Sequence, residues 1–221
     1  MLVLAACATI TEPALTTGPN GPVLTLLNAA THRTDGWRDV PIHGKTDYSV
    51  VEQGGRSAIM AVANQTASGL ARWVNIDPKA CRHIRWSWRI DRMQTTVDLR
   101  QKSMEDVAAS LFLTFGDPGF MIAPNPVPTV RYVWTTDHLK IGDIFDNPFR
   151  PGVIRTIVVE NRTDRLGEWV EFSRDFYADY TAAFGNPPTD RLELVAIFTD
   201  NDQSKEPVTA YYGPITVRCS A

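Results

Sequence analysis

The stretch Cys81–Asp91, read C-R-H-I-R-W-S-W-R-I-D, constrains this chain more than any other. Ile84, Trp86, Trp88 and Ile90 alternate with His83, Arg85, Ser87 and Arg89. That period of two sets successive side chains on opposite faces of a β-strand. One face holds two indoles and two isoleucines; the other holds a histidine, two arginines and a serine. A strand of this kind belongs in the middle of a sheet, with its apolar face in a core and its polar face turned elsewhere.

The flanking sequence predicts more strands. Ala8–Pro22 is rich in Thr, Pro and Gly without periodicity and reads as a tether, with the leader and tether together covering residues 1–22. Val23–Leu27 is the first apolar run, and Asp35-Gly36-Trp37 a turn with an aromatic plug. Tyr48–Gln53 and Ser57–Ala63 flank Gly54-Gly55 as a hairpin, and Ala67–Ile76 is a strand ended by Asp77-Pro78. Asp91–Asp106 is polar and aperiodic, a long loop or one short helical turn, before Ala108–Phe115 returns to strand. Gly116–Pro128 holds four prolines and is a loop. Thr129–Thr135, Ile154–Glu160, Leu192–Thr199, Ala210–Tyr212 and Ile215–Arg218 complete the strands. Arg174–Phe184 is the one helix: Phe176, Tyr177, Tyr180 and Phe184 form a stripe, Gly185 caps it and Pro187-Pro188 stop it. The expectation is an all-β protein, a jelly-roll β-sandwich with one short amphipathic helix, formed as a single domain over residues 23–221.

A chain of 221 residues, 43% hydrophobic, can bury a core that needs neither disulfide nor metal. The net charge of −3 comes from scattered acids and bases, which leaves no nucleic-acid footprint. No apolar run approaches the roughly 18 residues of a membrane span. The three cysteines say more. Leu4-Ala5-Ala6-Cys7 matches a bacterial lipobox, in which small residues precede a cysteine that is acylated and becomes an anchor. Six residues precede Cys7 and none is basic, a shorter leader than such signals carry. The expected address is a periplasm-facing lipoprotein of the envelope, touching the membrane through lipid alone. Cys81 and Cys219 are then an even pair, joined as a disulfide or left as two buried thiols.

Several segments, taken in order, resemble a bacterial family catalogued as domain of unknown function 3047. They include Gly36-Trp37, Thr46-Asp47-Tyr48, Ala67-Ser68-Gly69-Leu70, Ile84–Arg89, Glu105-Asp106, Arg131-Tyr132-Val133-Trp134 and Asn147-Pro148-Phe149. Val158-Val159-Glu160, Trp169, Arg174-Asp175, Ala183-Phe184-Gly185, Thr199-Asp200-Asn201-Asp202 and Tyr211-Tyr212-Gly213 continue the match, which spans roughly Asp35 to Val217. The resemblance implies a secreted or envelope β-sandwich similar to galactose-binding-like modules, with no assigned activity.

Candidate sites follow from residue chemistry. Arg85, Arg89, Arg131 and His83 lie on the faces of their strands away from the indoles. If those strands are neighbours, the side chains form a cationic patch suited to carboxylate or sulfate groups of an acidic polysaccharide. Trp134, with Trp73 and Trp169, is expected at a surface where a sugar ring could stack. Asp200, Asn201 and Asp202 could give oxygens to a structural Ca²⁺, although Asp-Asn-Asp is also turn composition. Asp175 and Asp179 share a helix face, where solvation is the simpler reading of the pair. There is no G-x-S-x-G elbow, H-E-x-x-H or C-x-x-C metal pattern, or phosphate loop. The functional expectation is a tethered module that binds a saccharide or another envelope ligand without transforming it and needs no cofactor. The alternatives are a hydrolase or lyase acting on an acidic glycan, with Tyr132 or His138 carrying the proton, and a structural lipoprotein that contacts a protein partner.

Overall fold

The computed structural model describes residues 12–18, 21–120, 123–136 and 138–220. Cys7 and most of the residues before Val23 lie outside them. Along the chain run β1 (Ala14–Gly18), β2 (Gly21–Leu27), β3 (Arg38–His43), β4 (Asp47–Gln53), β5 (Arg56–Ala63), β6 (Ala67–Ile76) and β7 (His83–Arg92). Next come β8 (Ala109–Phe115), β9 (Gly119–Phe120), β10 (Ala123–Pro124), β11 (Thr129–Trp134), β12 (Ile144–Asp146), β13 (Ile154–Glu160) and β14 (Val170–Asp175). Helix α1 (Phe176–Phe184) precedes β15 (Leu192–Asp200), β16 (Val208–Tyr212) and β17 (Ile215–Arg218). The architecture is a β-sandwich of the jelly-roll kind.

One sheet has the order β12-β13-β11-β8-β15-β6-β3, antiparallel except for β11 beside β13. The other is built on β7. β14 pairs with His83–Trp88 along one edge of that strand. A strand has only two edges, so β16, opposite Trp88–Arg92, and β17, opposite His83–Arg85, must share the second one. β16 and β17 therefore act as one long strand interrupted at Gly213-Pro214. Beyond the interruption the sheet forks, with β5 and β4 beside β16, and β2 and β1 beside β17.

The core lies between the sheets. Ile84, Trp86, Trp88 and Ile90 are all at most 1% exposed, as the alternation requires. Trp86 stacks on Tyr132 of the facing sheet at 5.0 Å between centroids and on Phe172 of neighbouring β14 at 5.1 Å. Trp88 meets Phe172 at 5.2 Å and the edge of Tyr212 at 6.5 Å.

Two boundaries differ from the sequence expectation. Arg174 and Asp175 belong to β14, and the helix starts at Phe176 because Asp175 caps it, its Oδ1 accepting the Ala178 N–H at 3.0 Å. Gly185, at φ 82°, takes the left-handed conformation that ends the helix. Ala14–Gly18, within the stretch read as a tether, forms a hairpin strand with β2.

Cys81 and Cys219 are bonded and join the adjacent ends of β7 and β17. The bridge closes a loop of 138 residues in sequence. Replacing both cysteines by serine is expected to cost about 3–5 kcal/mol in denaturant unfolding under oxidising conditions, chiefly by freeing the unfolded chain. An equal loss should follow when the native protein is reduced.

Candidate functional site

Trp86 and Trp88 take the inner face of β7, so His83, Arg85, Ser87 and Arg89 face outward. The cross-strand register then sets a row across four strands: Ser173 of β14, Arg85 of β7, Thr216 of β17 and Thr25 of β2. Each lies between core-facing neighbours, so its side chain points out of the sandwich. Strands lie ~4.8 Å apart, which spaces three hydroxyls and one guanidinium at about the interval of a sugar ring.

Beside this row the fork opens a cavity of about 630 Å³. Thr25 and Asn28 line it from β2 and its end, Arg56 and Ser57 from β5, and Arg85, Glu171, Pro214 and Thr216 from the sheet floor. It exists because Pro214 has no N–H to give a ladder and Gly213 lets the chain approach β7 closely. A Cβ on Gly213 would lie 2.1 Å from Ser87 Oγ and 3.4 Å from Trp169 Cζ3. Half-buried Trp169 therefore stands beside Gly213, donating from Nε1 to Gln53 O at 3.0 Å. The Arg56 guanidinium lies over its ring at 5.3 Å and ion-pairs with Glu171. Arg89 is held by Asp91, Nε to Oδ1 at 2.6 Å. Arg85 and His83 are exposed.

Two predicted ligand contacts are corrected by this arrangement. Arg131 is on the other sheet, 2% exposed, and ion-paired with Glu105. Its outward face is roofed by the 91–106 loop, whose Leu99 packs with Val107, Val133, Leu139 and Val158 in a small second core. Arg131 cannot join Arg85 in one patch. Trp134 is 0% exposed, because it shares the inner face of β11 with Tyr132, and offers no stacking surface. Of the three tryptophans expected outside, Trp73 and Trp169 are half-buried, and Trp169 packs under the Arg56 guanidinium.

Neither proton-carrier candidate fits. Tyr132 is buried and donates to Asp179 Oδ2 at 2.7 Å, and Arg174 Nε donates to the same oxygen at 2.8 Å. Burial, and then the Asp179 carboxylate, push the phenol well above its ordinary range, so it keeps its proton. Asp179 is thus a buried anchor for the helix and not part of a solvated pair. His138 is exposed in a loop against the Arg100 guanidinium, away from the groove residues.

The acidic turn is rearranged as well. Asn201 is spent on backbone: Oδ1 accepts from Thr66 N at 3.0 Å, and Nδ2 donates to Ala63 O at 3.1 Å and Glu206 O at 2.8 Å. Asp106, from the far end of the 91–106 loop, joins the cluster, and oxygens of Asp106, Asp200 and Asp202 lie within 4.8 Å of one another. Asp202 Oδ1 and Gln203 Oε1 are buried without a hydrogen-bond partner among the described residues. A donor set of hard oxygens fits a structural Ca²⁺ and would serve to neutralise the cluster. Burial, and then Glu105, raise the Asp200 carboxyl well above its ordinary value.

A family model described as "Protein of unknown function (DUF3047)" matches residues 35–216. No curated protein matches the chain. Among solved structures it is similar to TmCBM61 in complex with beta-1,4-galactotriose, at 12% identity and TM-score 0.39, over 89% of this chain and 99% of that one. It is similar to the CBM22-1 xylan-binding domain from Paenibacillus barcinonensis Xyn10C at 10% identity and TM-score 0.39, over 85% and 87%. The family 11 xylanase from Neocallimastix patriciarum gives 12% identity and TM-score 0.41, over 92% and 97%. At these values the neighbours say nothing of ligand or reaction in this chain.

A raised folded-state carboxyl contributes stability that is complete below the unfolded value of ~3.9 and is lost as pH climbs toward the folded one. In chelator, Asp200→Asn is therefore expected to match the parent melting temperature near pH 4 and exceed it near pH 8. The Asn oxygen can still accept the Val107 N–H that Asp200 Oδ1 accepts at 2.8 Å. Paired thermal melts across pH check this.

Proposed function

The chain belongs to the DUF3047 family of proteins of unknown function, so its role rests on its own groove, and we propose that it is a saccharide-binding module which does not transform its ligand. The observation that carries this reading is the row Ser173–Arg85–Thr216–Thr25 along the fork cavity, with Trp169 packed against Arg56 of its lining. Sugars need regularly spaced hydrogen-bonding groups for their hydroxyls and an aromatic or apolar neighbour for their C–H faces.

Binding without turnover is favoured over hydrolysis by the acids at hand. Glycoside hydrolysis commonly uses two facing carboxylates. Among the lining residues Glu171 is the one carboxylate, and it is ion-paired with Arg56. A protein-docking role has less support, because the exposed large apolar residues Leu15, Ile42, Val50, Ile141 and Phe149 come from separate elements.

The same proposal puts the module outside the cytosol, tethered by acylated Cys7. Its support is the Leu4-Ala5-Ala6-Cys7 pattern and the Cys81–Cys219 bridge, which persists in oxidising compartments.

Calorimetric titration of the domain against a panel of neutral and acidic oligosaccharides tests the reading. Binding of at least one class is expected. Thr216→Val should weaken it about 5–10-fold, the worth of one hydrogen bond, without moving the melting temperature. No binding by any sugar, or binding indifferent to Thr216, would remove the groove as the recognition surface.

A further inference from the structure

Counting the charges on the outer face of the β7 sheet identifies which guanidinium groups are already used. Glu171 stands opposite Ser87, so its diagonal neighbours on β7 are Arg85 and Arg89. Arg89 is taken by Asp91 and Glu171 by Arg56. Asp175, four residues along β14, is taken by Arg82, Nη2 to Oδ2 at 2.7 Å, and by the first turn of the helix. Arg85 is left with no hydrogen-bond or ion-pair partner among the described residues. Arg218 of β17 is in the same position: it stands opposite His83, next to Thr216, on the outward side of a strand whose Ile215 and Val217 are buried. Thr216 is opposite Arg85 and Arg218 opposite His83, so the two arginines are diagonal neighbours, ~7–8 Å apart along the sheet.

Two unpaired arginines rooted at that spacing on the sheet, set among hydroxyls and beside a cavity, form a receptor for anionic groups on an extended ligand. Arginine offers a planar fork of donors that matches a carboxylate or a sulfate, and a ligand anion here displaces no existing ion pair. Resting on the saccharide reading of the groove, we propose that the ligand is an acidic glycan, with Arg85 and Arg218 reading its carboxylate or sulfate groups while Thr25, Ser173 and Thr216 take its hydroxyls.

Pairs of matched backbone and different charge test this at physiological salt: oligogalacturonate against its methyl ester, and dextran sulfate against dextran. The parent protein should bind one anionic member at least about tenfold more tightly than its neutral counterpart. Arg85→Gln and Arg218→Gln should each remove most of that preference. Arg33→Gln, at an exposed arginine paired with Asp39, controls for general charge and should leave the preference intact. Equal binding of both members of each pair, lost in Thr216→Val, would overturn the acidic class and keep the groove as a sugar site. No glycan binding in either arm would overturn both readings, and so would binding of anionic lipid vesicles alone. Preference for the anion that survives both arginine substitutions would overturn the assignment of these residues. The carboxylate and sulfate arms identify which anion is read.

Discussion

The packing of Trp86 between Tyr132 of the facing sheet and Phe172 of its neighbour strand is what the rest of the molecule hangs on. Contacts of this type add ~0.5–1.5 kcal/mol each beyond the area they bury. Their larger effect is on register. A slip of one residue in β7 would drive Arg85 and Arg89 into the core and put both indoles in water, so parity is fixed without ambiguity. Tyr132 extends the constraint: its ring meets Trp86, and its hydroxyl meets Asp179, which Arg174 also holds. One stack therefore seats the helix at the end of the sandwich and presents the basic face of β7 to solvent.

That basic face becomes a site through an interruption in its neighbour. An unbroken β16–β17 strand would have carried one continuous partner, and its far edge would be closed. Gly213-Pro214 lets β5 and β2 separate instead, and the space between them is the cavity. The exposed ion pairs around it, Arg56–Glu171, Arg89–Asp91 and Arg82–Asp175, add little to stability. Their consequence is selective. They occupy three arginines and the nearby acids, and so leave Arg85 and Arg218 without a partner among the described residues.

What could be read from the sequence divides along the same line. Strands with strong alternation were legible: the Trp86 strand, the hairpin around Gly54-Gly55, and Ile154–Glu160, which coincides with β13. β3 and β12 were not, because edge strands with exposed side chains carry no periodic apolar signal. The helix start was misplaced by two residues because Asp175 serves at once as the end of a strand and as a cap. In the site, Arg85 and His83 were legible from parity alone. Arg131 was assigned to them wrongly because its own strand has the same parity; nothing local reveals that its neighbours lie in the opposite sheet. Arg218 went unnoticed in a short final strand. Asp106 was missed as a partner of Asp200 because the contact joins two loops distant in sequence. Side-chain faces are local properties, whereas the identity of the adjacent strand depends on topology.

Topology also explains why the two basic faces of this sandwich have different fates. On the β11 side, the 91–106 loop lays Leu99 and Val107 over the sheet and encloses Arg131 with Glu105 and Asn147. Removing a guanidinium from water is costly unless it is paired, so burial there required an acid, and the pair is closed to ligands. On the β7 side, two connections at the fork are tight: β16 passes to β17 through two residues, and the β4–β5 hairpin turns at Gly54-Gly55. Arg85 and Arg218 stay hydrated and need no protein acid. The same residue type thus serves as a structural counter-charge on one sheet and stands unpaired on the outer face of the other. The loop that covers it decides between the two.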